Sequence, residues 1–583
     1  MATPAAVVFR GARVFDGFRL IPGAEVLVVG DTIAEVAATV EQPAGAEVVD
    51  ASGCTLLPGL IDCHTHTWGP DHLKQALVFG VTTELDMFTD PDFAASMRAE
   101  QAGARPPDRA DLLSAGLCAT APGGHGTQYG IPVPALTEFG EADAFVQARL
   151  AEGSDYIKII RESGNLFGRP IPSLDRRTAA AVIDAARRRD KLSLVHVMTL
   201  EHARESLEDR ASGLAHLFVD MPLDEATLDA ALTGAAFVVP TLTVLETACG
   251  TASGRSLAED PNVRPYLTGA DRIQLCSTFG PVQLPPGTRL GHASEAVTRL
   301  ASAGVPVLVG SDAPNPGTLH GASVHRELEL LVEAGMAPEA ALSGATGAAA
   351  RCFRLLDRGV IAAGKAADLV LVSGDPTQDI LATRDIRQVW KAGVRFDRES
   401  YAAALESAVD GPSSQPPVGA EEGLLSDFDD GTLSARFGCG WTTTTDRMAG
   451  GSSVAETSVV EPGAAGSRAA LSVSGEVREG FAFPWAGAMA WLGKAPMASA
   501  DLSPKREVSF WCRGEPRELT VAVMVQGIPR PIPVPFECRS EWTRHSFALS
   551  DFAGADGSEL IALLFWASAY GPFEFELDEV RFD

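Results

Sequence analysis

The sequence lacks several features that would point to particular classes of protein. No apolar run approaches the ~20 residues that a membrane-spanning helix needs, so we expect no membrane association. The opening segment, MATPAAVVFRGARVFDG, has no basic stretch followed by an apolar one, so we expect no secretory signal peptide there. We find no low-complexity tract and no short internal repeat.

Basic charge is also scarce. The 47 Lys and Arg residues are outnumbered by 76 Asp and Glu residues, which gives a formal net charge of -29. Because nucleic-acid phosphates would be repelled, we expect no nucleic-acid partner. The nine cysteines are an odd number and form no C-x-x-C motif, which predicts buried thiols in a reducing, cytoplasmic compartment rather than a disulfide framework.

The 583 residues are too many for one ordinary domain. Residues 1–56 and 357–407 consist of short strand patterns, and we predict that they pair into one small β-sandwich. Residues 57–356 alternate strand and helix patterns, and residues 408–423 have the Pro, Gly and Ser content of a linker. Residues 424–583 contain only short strand patterns between turns, which predicts an antiparallel β-sandwich or jelly roll.

The middle region predicts a specific α/β fold. Its apolar strand patterns start at Leu57, Val81, Leu112, Tyr156, Leu192, Gly213, Phe237 and Val305. Helical patterns lie between them, and Ser173 is the predicted N-cap of one of these helices. Eight strand and helix units in succession predict a parallel (β/α)₈ barrel, also called a TIM barrel.

Two histidines, His64 and His66, end the first of these strands in the stretch LPGLIDCHTHTW. Residues i and i+2 of a strand point to the same side, so both imidazoles can hold one metal ion. A single H-x-H pair arises by chance, and the other ligand candidates decide its meaning. These lie at the carboxyl ends of four other predicted strands, where barrel active sites are found: Lys158, His196, His216 and Asp312.

Each of these residues also has an ordinary structural explanation. His196 and His216 can be core histidines, and Asp312 in GSDAP can cap the next helix. A buried Lys158 ammonium would be costly and would repel dications, whereas its neutral amine can react with carbon dioxide to form an anionic carbamate. The alternative is a lysine that extends from its strand end into solvent. Together the residues favour a metal centre.

The motifs also carry a family resemblance. PGLIDCHTH, DYIKII, LVHV, GLAHL, GSDAP, GMAPEAALSGATGAAA and GVIAAGKAADLVLVSGDP resemble the metal-dependent amidohydrolase superfamily, in the branch of imidazolonepropionase-like proteins and Xaa-Pro dipeptidases, over residues 7–397. The resemblance implies two divalent metal ions, usually Zn²⁺, bridged by hydroxide and by N6-carboxylated Lys158. In this arrangement His64, His66 and Asp312 hold one metal and His196 and His216 the other. Asp312 is then the candidate general base.

Loops after the strands supply the candidate substrate-binding residues: His125, Gln128, Tyr129, Asn165, Arg169 and His320. The resemblance favours a substrate-facing His125, although a histidine that stabilises its own loop is nearly as plausible. Arg169 would clamp a substrate carboxylate.

We therefore predict a hydrolase of an amide-type C–N bond in a small molecule, such as a dipeptide, an N-acyl amino acid or a cyclic amide. A lactone, ester or organophosphate hydrolase using the same site is the second hypothesis. The third is a binding or assembly protein that acts through its C-terminal sandwich. LLSDFDDG, DRMAGGSS and FEFELDEVRFD in that region resemble the complex I intermediate-associated protein family, which is related to galactose-binding-like folds. Homo-oligomerisation is left open.

Overall fold

A computed structural model gives the structure of the chain over most of its length. At residues 167, 406–409 and 448–449 it describes the backbone alone. The candidates Gln128, Tyr129 and Arg169 lie outside the described residues. The described residues are 6–103, 105–127, 131–167, 170–279, 284–409, 417, 419–449, 451–479, 484–494, 499–526, 528, 530–553 and 555–583.

The chain divides into two compact units. Unit 1 comprises Met1–Gly126, Val133–Leu267 and Pro281–Ala404. Unit 2 comprises Thr127–Pro132, Thr268–Gly280 and Leu405–Asp583. The predicted domain boundaries within these units stay a prediction.

Unit 1 combines strands and helices. Its strands are β1 (Ala6–Arg10), β2 (Arg13–Phe15), β3 (Leu20–Ile21), β4 (Glu25–Val29), β5 (Thr32–Ala37), β6 (Glu47–Asp50), β7 (Cys54–Pro58), β8 (Leu60–Thr65), β9 (Val81–Asp86), β10 (Asp111–Ser114), β11 (Ile157–Arg161), β12 (Ser193–Val197), β13 (Gly213–Ala215), β14 (Phe237–Val239), β15 (Leu369–Ser373), β16 (Ile386–Lys391) and β17 (Val394–Phe396).

The α-helices occur mainly between these strands. They are α1 (Pro70–Val78), α2 (Pro91–Gly103), α3 (Ala142–Ala151), α4 (Arg176–Arg188), α5 (Leu200–Glu208), α6 (Glu225–Gly234), α7 (Leu242–Ala248), α8 (Arg255–Glu259), α9 (Gly269–Cys276), α10 (Leu290–Ser302), α11 (Ala322–Glu333), α12 (Pro338–Gly344), α13 (Gly347–Cys352) and α14 (Arg398–Val409). A search of the described helices finds none with the length and apolar character of a membrane-spanning segment.

Helix α4 shows how the sequence pattern determines a helix and its start. Val182, Ile183 and Ala186 are buried on one face, and the arginines near its end are mostly exposed. The predicted N-cap, Ser173, is wrong. The side chain of Asp175 accepts a hydrogen bond from the Thr178 amide at 2.6 Å, so the helix begins two residues later.

Strands from both flanks of unit 1 share one sheet. Its order is β17-β16-β15-β7-β2-β3, and a second sheet has the order β5-β4-β1-β6. Antiparallel pairing of β7 with β15 places Leu56 opposite Leu371 and joins the two flanks. The predicted strand that starts at Leu57 is therefore two strands: β7 ends at Pro58 in this sheet, and β8 starts a different one. The amide of Gly59, between them, donates to Asp368 O at 2.7 Å.

The remaining strands of unit 1 are parallel to their neighbours. One ladder has the order β10-β9-β8 and another has the order β11-β12-β13-β14. An isolated parallel bridge pairs Ala119, in the segment after β10, with Ile159 of β11. The carboxyl ends of the strands in each ladder therefore lie on the same side, where His64, His196 and His216 end or follow β8, β12 and β13. Lys158 differs from the prediction, because it is the second residue of β11 and lies near the amino end of that strand.

The predicted eighth strand, which starts at Val305, forms no continuous ladder in the described structure. It makes isolated parallel bridges from Val307 to Val238 and from Ala313 to Thr65. Its residues thus pair with β14 on one side and with β8 on the other. Asp312, between these two bridges, has a φ of 56°, a left-handed conformation that does not belong to an extended strand.

Unit 2 contains the C-terminal β-region. Its strands are β18 (Leu424–Ser426), β19 (Gly440–Thr445), β20 (Val454–Val460), β21 (Ala470–Val477), β22 (Ala486–Trp491), β23 (Glu507–Gly514), β24 (Arg517–Val525), β25 (Ile532–Cys538), β26 (Thr543–Ala548), β27 (Leu560–Ala567) and β28 (Gly571–Phe582). They form two antiparallel sheets, β20-β21-β28-β23-β26 with β18 beside β28, and β19-β22-β27-β24-β25. The chain therefore has an α/β region and a separate all-β C-terminal region.

A buried ionic cluster joins β10 to the shared sheet of unit 1. Asp111 Oδ2 accepts from Lys391 Nζ at 2.9 Å and from Arg358 and Arg105 at 2.6 Å each. Asp368 contacts both Lys391 and Arg105. Burial by itself would raise the pKa of Asp111, but Lys391, Arg358 and Arg105 outweigh burial and lower it to about 2.

We predict that Asp111→Asn destabilises unit 1 by about 3–5 kcal/mol, because Lys391 would be left as a buried charge with a weaker partner. Denaturant unfolding measures this, and Asp143→Asn, at an exposed ion pair, is the control with little expected effect. Since the folded pKa of Asp111 is depressed, its ionisation contributes about 2 kcal/mol above about pH 4, which is lost as the pH falls towards 2. An Asn variant with wild-type stability at neutral pH would contradict the prediction.

Candidate metal centre

Asp312 lies at the middle of the predicted ligand set. Its Oδ1 is 3.3 Å from Nε2 of His64 and 3.0 Å from Nε2 of His66. Its Oδ2 is 4.0 Å from Nδ1 of His216. Ligand atoms of His64, His216 and Asp312 all lie within 4.8 Å of one another. The structure thus brings together side chains that are almost 250 residues apart in the sequence, as the difference between positions 64 and 312 shows.

The two other predicted ligands are beside this group. Lys158 Nζ is 3.5 Å from Nε2 of His64. The ring centroids of His196 and His216 are 4.5 Å apart. All six predicted ligands therefore lie in one buried cluster, with His66 the most exposed member at 17% of its side chain.

Burial determines the protonation states in this cluster. It lowers the pKa of His64 to about 3 with help from Lys158, and it lowers the pKa of His196 to about 3. It also lowers the pKa of Lys158 to about 8, although Asp312 opposes this. Burial would raise the pKa of Asp312, but the neighbouring histidines hold it well below its usual value. Neutral imidazoles and an ionised carboxylate are the forms that bind a metal.

The donor set fits a divalent cation. Oδ1 of Asp312 is buried, and no hydrogen bond of ordinary geometry satisfies it among the described residues. Two imidazole nitrogens at 3.0 and 3.3 Å from one carboxylate oxygen match the separation of about 3.3 Å expected for neighbouring ligands of tetrahedral zinc. A cation between these electron-rich atoms would remove their mutual repulsion.

Strained backbone positions hold two of these side chains. Both Asp312, with a φ of 56°, and His216, with a φ of 69°, are left-handed, which costs non-glycine residues about 1–3 kcal/mol. The carbonyl of Asp312 accepts from Asn315 Nδ2 at 2.9 Å and from Thr318 Oγ1 at 3.3 Å. The loop after Asp312 therefore stabilises the unusual conformation that directs the carboxylate towards the histidines.

The predicted substrate-binding residues that the structure describes have different surroundings. The ring of His125 is 5.0 Å from that of His196, and burial lowers the pKa of His125 to about 3. His320 is buried, its Nδ1 is 2.8 Å from Glu84 Oε1, and it stacks on His72 at 4.2 Å. Asn165 is exposed at the start of a short 3-10 helix.

Several residues beside the cluster have no role in the sequence-based prediction. Glu162 Oε2 is 3.6 Å from Nε2 of His196, and Thr241 Oγ1 is 2.6 Å from Nδ1 of His216. Glu84 Oε2 accepts from Thr67 Oγ1 at 2.7 Å, next to His66. A signal existed for Glu162, because strand alternation places it on the same side as Lys158. Thr241 and Glu84 have no comparable sequence signal, because nothing in the local sequence relates either residue to the predicted ligands.

Comparison with known proteins identifies the family. The model of the Amidohydrolase family matches residues 55–395, more than half of the chain. The chain belongs to this family, and it is a metal-dependent amidohydrolase. The family membership predicted from the motifs is therefore confirmed. The match ends before residue 424, so the resemblance of the C-terminal region stays a prediction.

Relatives and solved structures agree with this assignment. The chain is 28% identical over 426 residues to imidazolonepropionase of Deinococcus deserti, covering 68% of this chain and 97% of that protein. It is 26% identical over 410 residues to imidazolonepropionase of Streptomyces coelicolor, covering 64% and 93%. A Xaa-Pro dipeptidase crystal structure with bound methionine matches with a TM-score of 0.53 at 22% identity, covering 67% of this chain and 100% of that one. Molinate hydrolase matches with a TM-score of 0.53 at 20% identity, covering 69% and 96%. The structural matches indicate a shared fold.

Proposed function

We propose that the chain hydrolyses an amide-type C–N bond in a small molecule at a binuclear zinc centre. The observation that carries the proposal is the convergence of the His64 and His66 Nε2 atoms on Oδ1 of Asp312. Family membership supports the reaction class. The dipeptide, N-acyl amino acid and cyclic amide classes all contain such a bond.

We further propose that the parallel strands close into a (β/α)₈ barrel around this centre. The bridges from Ala313 to Thr65 and from Val307 to Val238 support closure, because they connect the last strand position to both β8 and β14. Closure brings strand ends that are distant in sequence to one mouth.

In this proposal His64, His66 and Asp312 hold one metal ion, and His196 and His216 hold the second. Lys158, once carboxylated, would supply a further anionic ligand, and its closeness to His64 supports that role. Two dications supply Lewis acidity and lower the pKa of water to near neutral.

The chain's own residues then move the proton. Asp312 is ionised, so it can accept the proton of the attacking water and pass it to the leaving nitrogen, which then departs as a neutral amine. His125 lies beside His196, where it can contact the substrate carbonyl region. The proposed substrate-binding roles of Asn165, Arg169, Gln128, Tyr129 and His320, and the cytoplasmic location, stay predictions.

The test combines metal analysis with a substrate panel. We expect two zinc ions per chain, and turnover of dipeptides, N-acyl amino acids or lactams in preference to lactones, simple esters and organophosphates. The paired substitution His64→Asn and His66→Asn should remove metal and activity. His292→Asn, at a buried histidine of α10 that contacts Gly287 O, is the matched control.

The outcomes separate the hypotheses. Faster turnover of the lactone panel would replace the amide assignment by the lactone or ester one. A protein that binds no metal, and whose properties do not respond to the paired substitution, would contradict the proposed chemistry and support an assembly role for the C-terminal region.

A further inference from the structure

The side chain of Thr241 makes two hydrogen bonds, and their geometry suits one tautomer of His216. Its hydroxyl donates to Pro240 O at 2.7 Å, and its oxygen is 2.6 Å from Nδ1 of His216. A hydroxyl carries one hydrogen. With that hydrogen directed to Pro240 O, the threonine oxygen accepts from Nδ1 of His216, which then carries the proton.

This assignment leaves Nε2 of His216 with the lone pair. A metal-binding imidazole is neutral and has one protonated nitrogen, so protonation of Nδ1 makes Nε2 the ligand atom. Nδ1 is also 4.0 Å from Asp312 Oδ2, which is beyond hydrogen-bond distance. Thr241 is therefore the hydrogen-bond partner of that nitrogen.

Helix α7 begins immediately after Thr241 and lacks the usual side-chain cap. Thr241 is its N-cap residue, but its hydroxyl makes no capping hydrogen bond because it is engaged with Pro240 and His216. The left-handed backbone of Thr241, with a φ of 51°, turns the chain at this point. Another group must satisfy the first amides of the helix.

Glu327 of α11 supplies that group. Its Oε1 accepts from the Leu242 amide at 2.9 Å, and its Oε2 accepts from the Thr243 amide and hydroxyl at 2.8 Å each. The carboxylate is fully buried. It thus caps α7 in place of Thr241 and fixes the turn in which the threonine hydroxyl faces His216.

We infer that Thr241 and Glu327 are positioning residues of the metal centre: Thr241 holds His216 with its proton on Nδ1 and its Nε2 available to a divalent cation, and Glu327 holds Thr241. This inference rests on the proposed metal-binding role of His216. It adds two residues that do not touch the metal or the substrate.

The test uses full-length protein and three substitutions. Thr241→Val keeps the shape and removes the hydroxyl, and Thr241→Ser restores the hydroxyl. Thr247→Val is the matched control, since it removes another buried hydroxyl of α7, one that bonds Thr243 O instead of a predicted ligand. Zinc per chain is measured after dialysis at fixed free zinc, affinity by competition with a chelator, and coordination by the visible absorption of the Co²⁺-loaded protein.

We expect Thr241→Val to weaken binding of one of the two metal ions by about 10–100-fold and to change the Co²⁺ absorption, while Thr241→Ser stays near wild type. Glu327→Gln, which has one acceptor oxygen in place of two, should weaken the binding of the same metal ion. Thr247→Val should match wild type. Metal-free Thr241→Val and Thr247→Val should unfold at similar denaturant concentrations, which separates positioning from folding.

Two results would overturn the inference in different ways. If wild type binds two zinc ions and Thr241→Val binds them as Thr247→Val does, the positioning role is wrong and the proposed function stands. If wild type binds no more zinc than the His64→Asn and His66→Asn protein, the proposed function itself is wrong and the inference fails with it.

Discussion

Asp312→Asn is expected to lower kcat by about 10²–10⁴-fold, the range that a positioned general base contributes. The asparagine amide keeps the shape and an oxygen ligand, but it cannot accept a proton from water. The substitution also removes the negative charge of the carboxylate, whose Oδ1 is 3.3 Å from Nε2 of His64 and 3.0 Å from Nε2 of His66. The measurement is kcat at saturating zinc, with zinc per chain determined on the same samples.

The metal measurement separates the two effects of this substitution. If the Asp312→Asn variant retains zinc but loses turnover, the result supports the role of Asp312 as general base. Asp220→Asn is a suitable control, because Asp220 follows β13 and its carboxylate accepts from the Leu200 amide instead of facing the histidines. Full activity in the Asn variant would show that Asp312 is not the base.

The parts of the fold that depend on periodic burial could be predicted from the sequence. Strands β11 (IKIIR) and β12 (SLVHV) are buried along their whole length, and three of the five residues in each are apolar, which is why the sequence shows them as strands. The His64 and His66 pair could be found because strand alternation directs both side chains to one side. Because active sites of (β/α)₈ barrels lie at the carboxyl ends of the strands, only a few further positions are candidate ligands.

The predictions that failed concern features that depend on backbone geometry and not on hydrophobicity. The run that starts at Leu57 is apolar on both sides of Gly59, so hydrophobicity alone cannot show that one half pairs with β15 and the other with β9. The left-handed backbone of Asp312 leaves no mark on composition either. Ser173 and Asp175 are equally suitable caps by residue type, and only the position of the Thr178 amide distinguishes them.

The supporting residues of the centre could not be predicted for a related reason. Histidine is rare, with 11 in the chain, so several of them at strand ends form a signal. Threonine and glutamate are common, and their roles depend on neighbours that the fold provides. Thr241 and Glu327 are 86 residues apart, as the difference of their positions shows, and nothing in either local sequence indicates that they act on His216.

Replacing Lys158 by Ala should lower kcat by about 10²-fold or more, since it removes the anion proposed to lie between the two metal ions. Lys158 is buried and 3.5 Å from Nε2 of His64, so its anionic carboxylated form would suit a site that holds cations better than an ammonium would. Short carboxylic acids such as acetate should restore part of the lost activity, because they can supply a carboxylate to the vacated space. Lys191→Ala, at a lysine that bonds Asp155 O, is the control.

The pKa of Lys158 also predicts how fast the modified enzyme forms. The neutral amine attacks carbon dioxide, a C–N bond forms, and one proton is released as the carbamate anion appears. Since burial lowers the pKa of Lys158 to about 8, the neutral fraction should fall by about 50-fold between pH 8 and pH 6. At constant dissolved carbon dioxide, metal-free protein should therefore recover activity with zinc far faster at pH 8 than at pH 6. Recovery that depends on neither carbon dioxide nor pH, together with an active Lys158→Ala variant, would show that no carbamate forms at this lysine.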